Sequence, residues 1–582
     1  MQVALEEKAD DRLKNIVATI QSEQNNIIRA DINKPLIVQG VAGSGKTTIA
    51  LHRIAYLIYN CNQQFDPESF MIIAPNKFFL NYISNVLPDL GVENVRQYTF
   101  EDFAYEVIGK RLKISDNNEK LVTIVNKNFD EINKGNTKLI IDESKFKSSI
   151  NFQKVIDKYL KKVEENYIPK KDFLLDNVRI YRYENIQKLF MEEYKELEFE
   201  KRINEVKKHI FSKIKNNKDT IYETITAKRK ARINKIMRDE NLSQEEKMAQ
   251  RIEVFEETED LLKEIENDDI KVVDNYFKER EKRNCIELYK DFIENYVYDE
   301  IENKELATYM IKNTLKNLKS GEVTFEDLAP IIYIHYKIYG TRFKKELRHV
   351  IVDEAQDYGE FQFSVLKTIL RSNSMTILGD IAQGVHFYRG IENWKRFIDV
   401  EFPNGDARYT TLEKTYRTTK DIMIKANEVI DKLTDKEKEF IVKGQPVINN
   451  KDSIHIISKQ NNDEIIDEIA NRIKEYTDMN FKSIAIIGKD IDECKMIKQK
   501  MSKYDYDIKL IQSKDSEYNA GISIVPSYLA KGLEFDSVMI FNASSEKYQK
   551  NTLDIKLLYV AITRAMSKLD IFYTTKISEL LN

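Results

Sequence analysis

Residues 37–52 read IVQGVAGSGKTTIALH, and this stretch decides how the rest of the chain is read. Within it Gly40 to Thr47, GVAGSGKT, fits GxxxxGK[ST], placed after the apolar run PLIVQG at 35–40 and before a helical pattern. In that context the backbone N–H groups of Gly40, Ala42, Gly43, Ser44, Gly45 and Thr48 close around phosphate oxygens. Lys46 reaches the outer phosphates and the Thr47 hydroxyl can hold a Mg2+ ion. A chance glycine turn would lack the flanking strand and helix. The motif alone does not say what the nucleotide drives.

The surroundings narrow it. Further short apolar runs, FMIIAP (70–75), HVIVDEAQ (349–356) and MTILGD (375–380), end in loops and precede helical patterns, as buried parallel strands of βαβ units do. The rhythm resumes after 407 with SIHIIS, SIAIIGKD, ISIVPS and SVMIFNA. The expected fold class is α/β, with two such domains. Between 111 and 330 only Gly135, Gly321, Pro169 and Pro330 punctuate the chain, so that span is expected to be an all-helical insertion in the first domain. The domain boundaries expected are 1–110 with 331–400, 111–330, and 401–582.

Composition excludes several classes. A chain of 582 residues with 92 basic and 96 acidic side chains carries a net charge of -4, so any basic surface is local. Cys61, Cys285 and Cys494 are far apart and form no CxxC pair, which argues against a disulfide framework or zinc site. The opening MQVALEEKADDRLKN is acidic rather than signal-like, and no apolar run is long enough for a membrane span. A cytoplasmic protein is expected. Inside the insertion, residues 201–240 carry 13 Lys and Arg against 5 acidic residues, and 251–300 are mainly acidic. Ser243 with Glu246 forms a capping box between them, predicting a helical hairpin whose arms either neutralise each other or leave a basic face for a phosphate backbone.

A second acidic element completes a nucleotide site. In VIVDEAQD an apolar strand ends in adjacent carboxylates, so Asp353 can anchor Mg2+ while Glu354 serves as general base. The set GVAGSGKT, VDEAQD, GDIAQGVHFYRG, LEKTYRTT, AKGLEFD and LLYVAITRA, in that order, resembles superfamily-one helicases of the UvrD and Rep kind. That resemblance implies two RecA-like P-loop motor domains sharing one ATP and Mg2+, and 3′ to 5′ movement on single-stranded DNA. It implies that Gln24, with Gln21 as a rival, reads adenine, that Tyr416 stacks on it and that Glu534 binds the ribose. It implies that Gln383 senses the terminal phosphate and that Arg417 and Arg564 reach it from the second domain. For the DNA track it implies Asn76 and Lys77 as backbone contacts, with Tyr388 and Arg389 where the family has Trp and Arg, and Tyr528 where it has His. Each of these aromatics can also be an ordinary core residue.

The wording VQGVAGSGKTTIALHRIAYLIY and VPSYLAKGLEFDSVMIFNA is also similar to the HelD branch, which implies RNA polymerase as a protein partner through the 111–330 insertion. Against it, HelD proteins place a long coiled-coil arm before the phosphate loop, where 39 residues precede Gly40 here. A motor subunit of a repair or defence complex is the further alternative.

Overall fold

The computed structural model describes residues 22–582 except 61–65, 117, 127–134, 176–177, 268, 279, 281, 342–346, 371–372, 449–452, 514 and 516–519. Gln21, Cys61 and the acidic opening lie outside the described residues. The chain forms two compact units, one made of residues 1–152, 301–329 and 343–582, the other of 153–300 and 330–342.

The first unit holds two six-stranded sheets. In the first sheet, β1 (Leu36–Gly40), β2 (Phe70–Ile73), β3 (Arg96–Tyr98), β4 (His349–Val352), β5 (Met375–Gly379) and β6 (Arg408–Leu412) lie in the order β6-β1-β5-β4-β2-β3, every pair parallel. The four central strands are buried at every residue, which is why they read as unbroken apolar runs, whereas the edges β3 and β6 are partly exposed. The edge strand β6 lies beyond 400, where the sequence reading ended this domain, and pairs Leu36 with Arg408.

After β7 (Lys414–Thr419) and β8 (Gln445–Ile448), which pair with each other, comes the second sheet. Its strands are β9 (Ile454–Lys459), β10 (Ser483–Gly488), β11 (Ile508–Leu510), β12 (Gly521–Pro526), β13 (Phe535–Ile540) and β14 (Ala565–Thr574), in the parallel order β9-β14-β13-β10-β12-β11. In both sheets the strands end on loops that carry the quoted motifs. That is the usual placement of ligand residues in an open α/β sheet.

Three helices fix the first half of the site. Helix α1 (Ser22–Ile28) packs on α2 (Lys46–Asn60), and α3 (Lys77–Asp89) follows β2. The end of α1 is held by the fully buried Arg53 of α2, whose guanidinium donates to Ile27 O at 2.9 Å, Ile28 O at 3.1 Å and Ala30 O at 2.8 Å, and to Thr376 Oγ1 at 2.9 Å. A cation at a helix C-terminus satisfies the carbonyls that have no partner within the helix.

The region from 111 to 330 differs from an all-helical insertion. Phe173–Leu175 and Val178–Tyr181 form an antiparallel hairpin, and Lys113–Ile114 pairs with Glu322–Val323. Helices Glu119–Val125, Gly135–Lys147 and Lys304–Lys319 fall in the first unit, where the Lys147 ammonium is buried between Glu143 and Asp327, each at 2.8 Å. Neither strand adjoins a glycine, so a glycine count did not mark the pair. Within the second unit α4 (Lys218–Arg238) and α5 (Gln244–Asn267) run antiparallel, zipped by Arg229–Glu259 at 2.6 Å and Arg232–Glu257 at 3.5 Å. Ser243 and Glu246 exchange the two hydrogen bonds of the capping box at the start of α5. No described helix is long and apolar enough to cross a membrane.

Removing the Arg53 guanidinium leaves several buried carbonyls unpaired. Arg53→Met is expected to lower stability by about 3 kcal/mol, read as a lower urea midpoint with an unchanged slope.

Candidate nucleotide site between the two sheets

The loop after β1 is bound on three sides. Lys46 turns its ammonium back on the loop, donating to Gly40 O at 2.8 Å and Val41 O at 3.2 Å. Thr47 Oγ1 donates to Asp353 Oδ2 at 2.6 Å, joining the loop to the end of β4. Gly43 O accepts from Tyr416 N of β7 at 3.0 Å, and Val41 N donates to Leu412 O of β6 at 3.1 Å. Gly43 has φ +72°, and a Cβ there would fall 2.4 Å from Arg417 Cβ. Only glycine permits so close an approach. Gln24 of α1 lies over the same loop, its amide nitrogen 3.9 Å from where a Cβ on Gly45 would stand. Tyr416 is half-buried and within electrostatic reach of Glu23, the neighbour of Gln24 in α1.

The acidic pair is buried. Asp353 and Glu354 are 2% and 7% exposed, and Glu354 stands in the left-handed region at φ 50° with its N–H donating to Asp353 Oδ1 at 2.8 Å. Burial, and then the charge of Glu354, pushes the Asp353 carboxyl up. Burial would push Glu354 up too, but Lys531, Lys46, a hydrogen bond from Gln356 and Arg564 hold it below the usual range. Thr47 and Asp353 supply hard oxygens 2.6 Å apart, with the buried Glu354 next in the chain. That set fits Mg2+, which takes one or two protein oxygens and completes its shell with water and phosphate.

The chain beyond β6 contributes three cations. Lys531, on the loop between β12 and β13, sits 3.2 Å from Glu354 and 2.6 Å from Asp357. Arg564, after helix α6 (Thr552–Ile562), is buried, donates to Gln383 Oε1 at 2.7 Å and is lowered to about 10 by burial and then by Arg417. Arg417 pairs with Glu534 at 2.5 Å. A buried amide chain joins these groups: Gln356 donates to Glu354 Oε2 at 2.6 Å and accepts from Asp380 N at 2.8 Å, and Gln383 donates to Asp380 Oδ2 at 2.7 Å. Gln39 donates to Asp380 Oδ1 at 3.0 Å and accepts from Trp394 Nε1 at 2.7 Å, fixing the amide orientations.

Residues 20–398 match the UvrD/REP helicase N-terminal domain family and residues 521–571 the UvrD-like helicase C-terminal domain family. The chain belongs to the UvrD/REP helicase family. Among curated relatives it is 28% identical over 188 residues to a probable DNA helicase II homolog of Mycoplasma capricolum, 31% of this chain and 25% of that protein. It is 28% identical over 186 residues to the ATP-dependent DNA helicase Rep of Buchnera aphidicola, 30% of this chain and 28% of that protein. The chain thus spans about a quarter of the length of these relatives. A solved structure, the C-terminal domain of a possible DNA helicase from Lactobacillus plantarum, is 28% identical, covering 29% of this chain and 92% of that one at a TM-score of 0.24.

Against the UvrD/REP pattern the residues expected on a DNA track divide. Lys77 is exposed at the first turn of α3, and Asn76 caps that helix, accepting from Phe79 N at 3.1 Å. Tyr388 is fully buried, and Tyr528 is 5% exposed; both sit in one apolar cluster with Ile124, Ile141 and Val525. Neither ring offers a face to a base, which corrects the stacking role expected of them. Arg389 is also buried, lying over the Phe325 ring and 3.8 Å from Glu326, so its charge is spent inside the protein rather than on a phosphate. The sequence reading did not single out Lys531, Gln356 or Gln39. All of them lie within quoted stretches, and for Gln356 its place two residues after Glu354 was the available signal.

Gly43→Ala adds a Cβ at positive φ against β7. Nucleotide affinity, measured with a fluorescent ATP analogue, is expected to fall by about tenfold or more, the equivalent of about 1.4 kcal/mol.

Proposed function

We propose that the chain is an ATP-driven translocase of single-stranded DNA, built on two RecA-like motor domains and moving 3′ to 5′ in the manner of its family. The observation that carries this reading is the division of the site. Lys46, Thr47, Asp353 and Glu354 come from the first sheet, and Arg417, Lys531 and Arg564 from the second half of the chain. Hydrolysis therefore works on the contact between the two sheets, and opening or closing that contact is the stroke.

In this reading Mg2+, held by Thr47 and Asp353, supplies the positive charge that binds and polarises the phosphates. Glu354, kept ionised by Lys531 and Lys46, accepts the proton of the attacking water. Lys46 moves from the Gly40 and Val41 carbonyls to the outer phosphates, and Gln383 aligns the terminal one. Arg417 and Arg564 stabilise charge in the transition state. Gln24 and Tyr416 receive the adenine, Glu534 the ribose, and Asn76 and Lys77 the DNA backbone.

The burial of Tyr388, Arg389 and Tyr528 favours keeping a second reading, a HelD-like ATPase that remodels RNA polymerase, because it removes three residues from the expected DNA track. ATPase rates separate the two. Single-stranded DNA is expected to raise kcat, and Lys46→Ala or Glu354→Gln to lower the stimulated rate by at least about 100-fold. Stimulation by RNA polymerase, with none by single-stranded DNA at any salt, would replace the first reading with the second.

A further inference from the structure

The hairpin of α4 and α5 has two unlike sides. On one, Arg232 pairs with Glu257. On the other, the Arg229 guanidinium lies 4.7 Å from the centre of the Phe255 ring and pairs with Glu259. Positions 229, 233 and 237 follow one another at helical spacing, as do 248, 252, 255 and 259, so these two rows adjoin along that side. They set Ile233 and Met237 of α4 beside Met248, Ile252 and Phe255 of α5. Met237, Met248, Ile252 and Phe255 are 40%, 52%, 51% and 50% exposed, whereas α5 buries a different row, Val254 and Thr258.

Large apolar side chains offer roughly 200 Å² each, so four at about half exposure leave on the order of 400 Å² of apolar surface. Patches of that size on a single chain are often functional. A standard interface takes about 800 Å² from each partner, a little over half of it apolar. The patch therefore matches the apolar share of one such interface. Its edges carry opposite charge. Outward of the α4 row stands Lys230 and outward of the α5 row stands Glu256, both exposed and in no ion pair among the described residues. The 229–259 and 232–257 pairs fix the level of the two helices, which puts positions 230 and 256 within one helical turn of each other along the hairpin.

We infer that this face of the hairpin is a homodimer interface, covered by the same face of a second copy of the chain. A twofold axis parallel to the helices lays α4 of each copy on α5 of the other and closes a four-helix bundle over the apolar rows. The same operation brings Lys230 of each copy to Glu256 of the other, one pair at each edge. A partner carrying charge of one sign would match one edge and be repelled by the other, whereas a second copy matches both. The interface uses residues of the second unit, and the nucleotide residues named above belong to the first. A chain kept single is therefore expected to bind ATP as wild type does.

Sedimentation velocity of the full chain over a concentration series reaching about 100 µM tests this. Wild type is expected to pass from the mass of one chain to that of two. Ile252→Glu should stay single throughout, with its melting temperature and its affinity for a fluorescent ATP analogue retained. Lys230→Glu and Glu256→Lys should each weaken the dimer about tenfold, and the two together should restore it to within about threefold of wild type. Met479→Glu, which alters an equally exposed apolar residue of the first unit, should dimerise as wild type does. A wild type that stays single across the series overturns the inference, and so does a dimer that survives Ile252→Glu or a charge exchange that restores nothing. None of these outcomes touches the motor reading, which the ATPase rates test separately.

Discussion

Two carboxylates side by side and out of water are the constraint on which the rest depends. Asp353 and Glu354 follow a strand buried at every residue, and they cannot both remain ionised without cations brought to them. The first sheet provides Lys46, whose ammonium is shared with loop carbonyls. Lys531 and Arg564 come from the other half, one paired directly with Glu354 and one acting through Gln383. The electrostatic integrity of the acidic pair and the closure of the two sheets are thus one condition. The left-handed backbone of Glu354 belongs to the same arrangement. It is a strained conformation for a glutamate, held by the N–H bond to Asp353.

The parts of this site set by short-range rules were legible in the sequence. Glycines at fixed spacing after an apolar run gave the phosphate loop, and an apolar run ending in two acids gave the partner strand. The UvrD/REP membership found in the comparisons agrees with that wording. What was not legible depended on contacts distant in the chain. Nothing local to Tyr388 says that it joins the buried cluster of Ile124 and Val525, and a motif position therefore read as a stacking platform where packing made it core. Likewise β6 joins the first sheet because the free edge of β1 accepts it, a fact of pairing that no boundary in composition marks. Arg53 was hidden for the same reason: its task is defined by the carbonyl ends of α1, more than twenty residues earlier.

The amide chain from Glu354 through Gln356, Asp380 and Gln383 to Arg564 gives the site a memory of its partner. Each glutamine both donates and accepts, and Gln39 and Trp394 fix the donors and acceptors at Asp380. A buried network in which every member is oriented by the next is costly to leave partly satisfied. The point where it meets the second half is the Arg564–Gln383 bond. Losing it removes the Arg564 donor from the buried Gln383 Oε1, while Arg564 keeps its bonds to Val560 O, Leu533 O and Thr563 Oγ1, so the cost of opening falls on the amide.

Phosphates entering this pocket change the accounting of charge. Lys46 is held by carbonyl oxygens and Arg417 by a half-exposed Glu534, both weaker partners than a phosphate oxygen. Lys531 is different, because burial between Glu354 and Asp357 leaves it no better partner nearby. A nucleotide can therefore recruit Lys46 and Arg417 while Lys531 stays on the acidic pair, keeping Glu354 ionised through binding. In the proposed motor reading, loss of those phosphates returns Arg417 to its pair with Glu534, while the Gly43–Tyr416 backbone contact still joins the phosphate loop to β7.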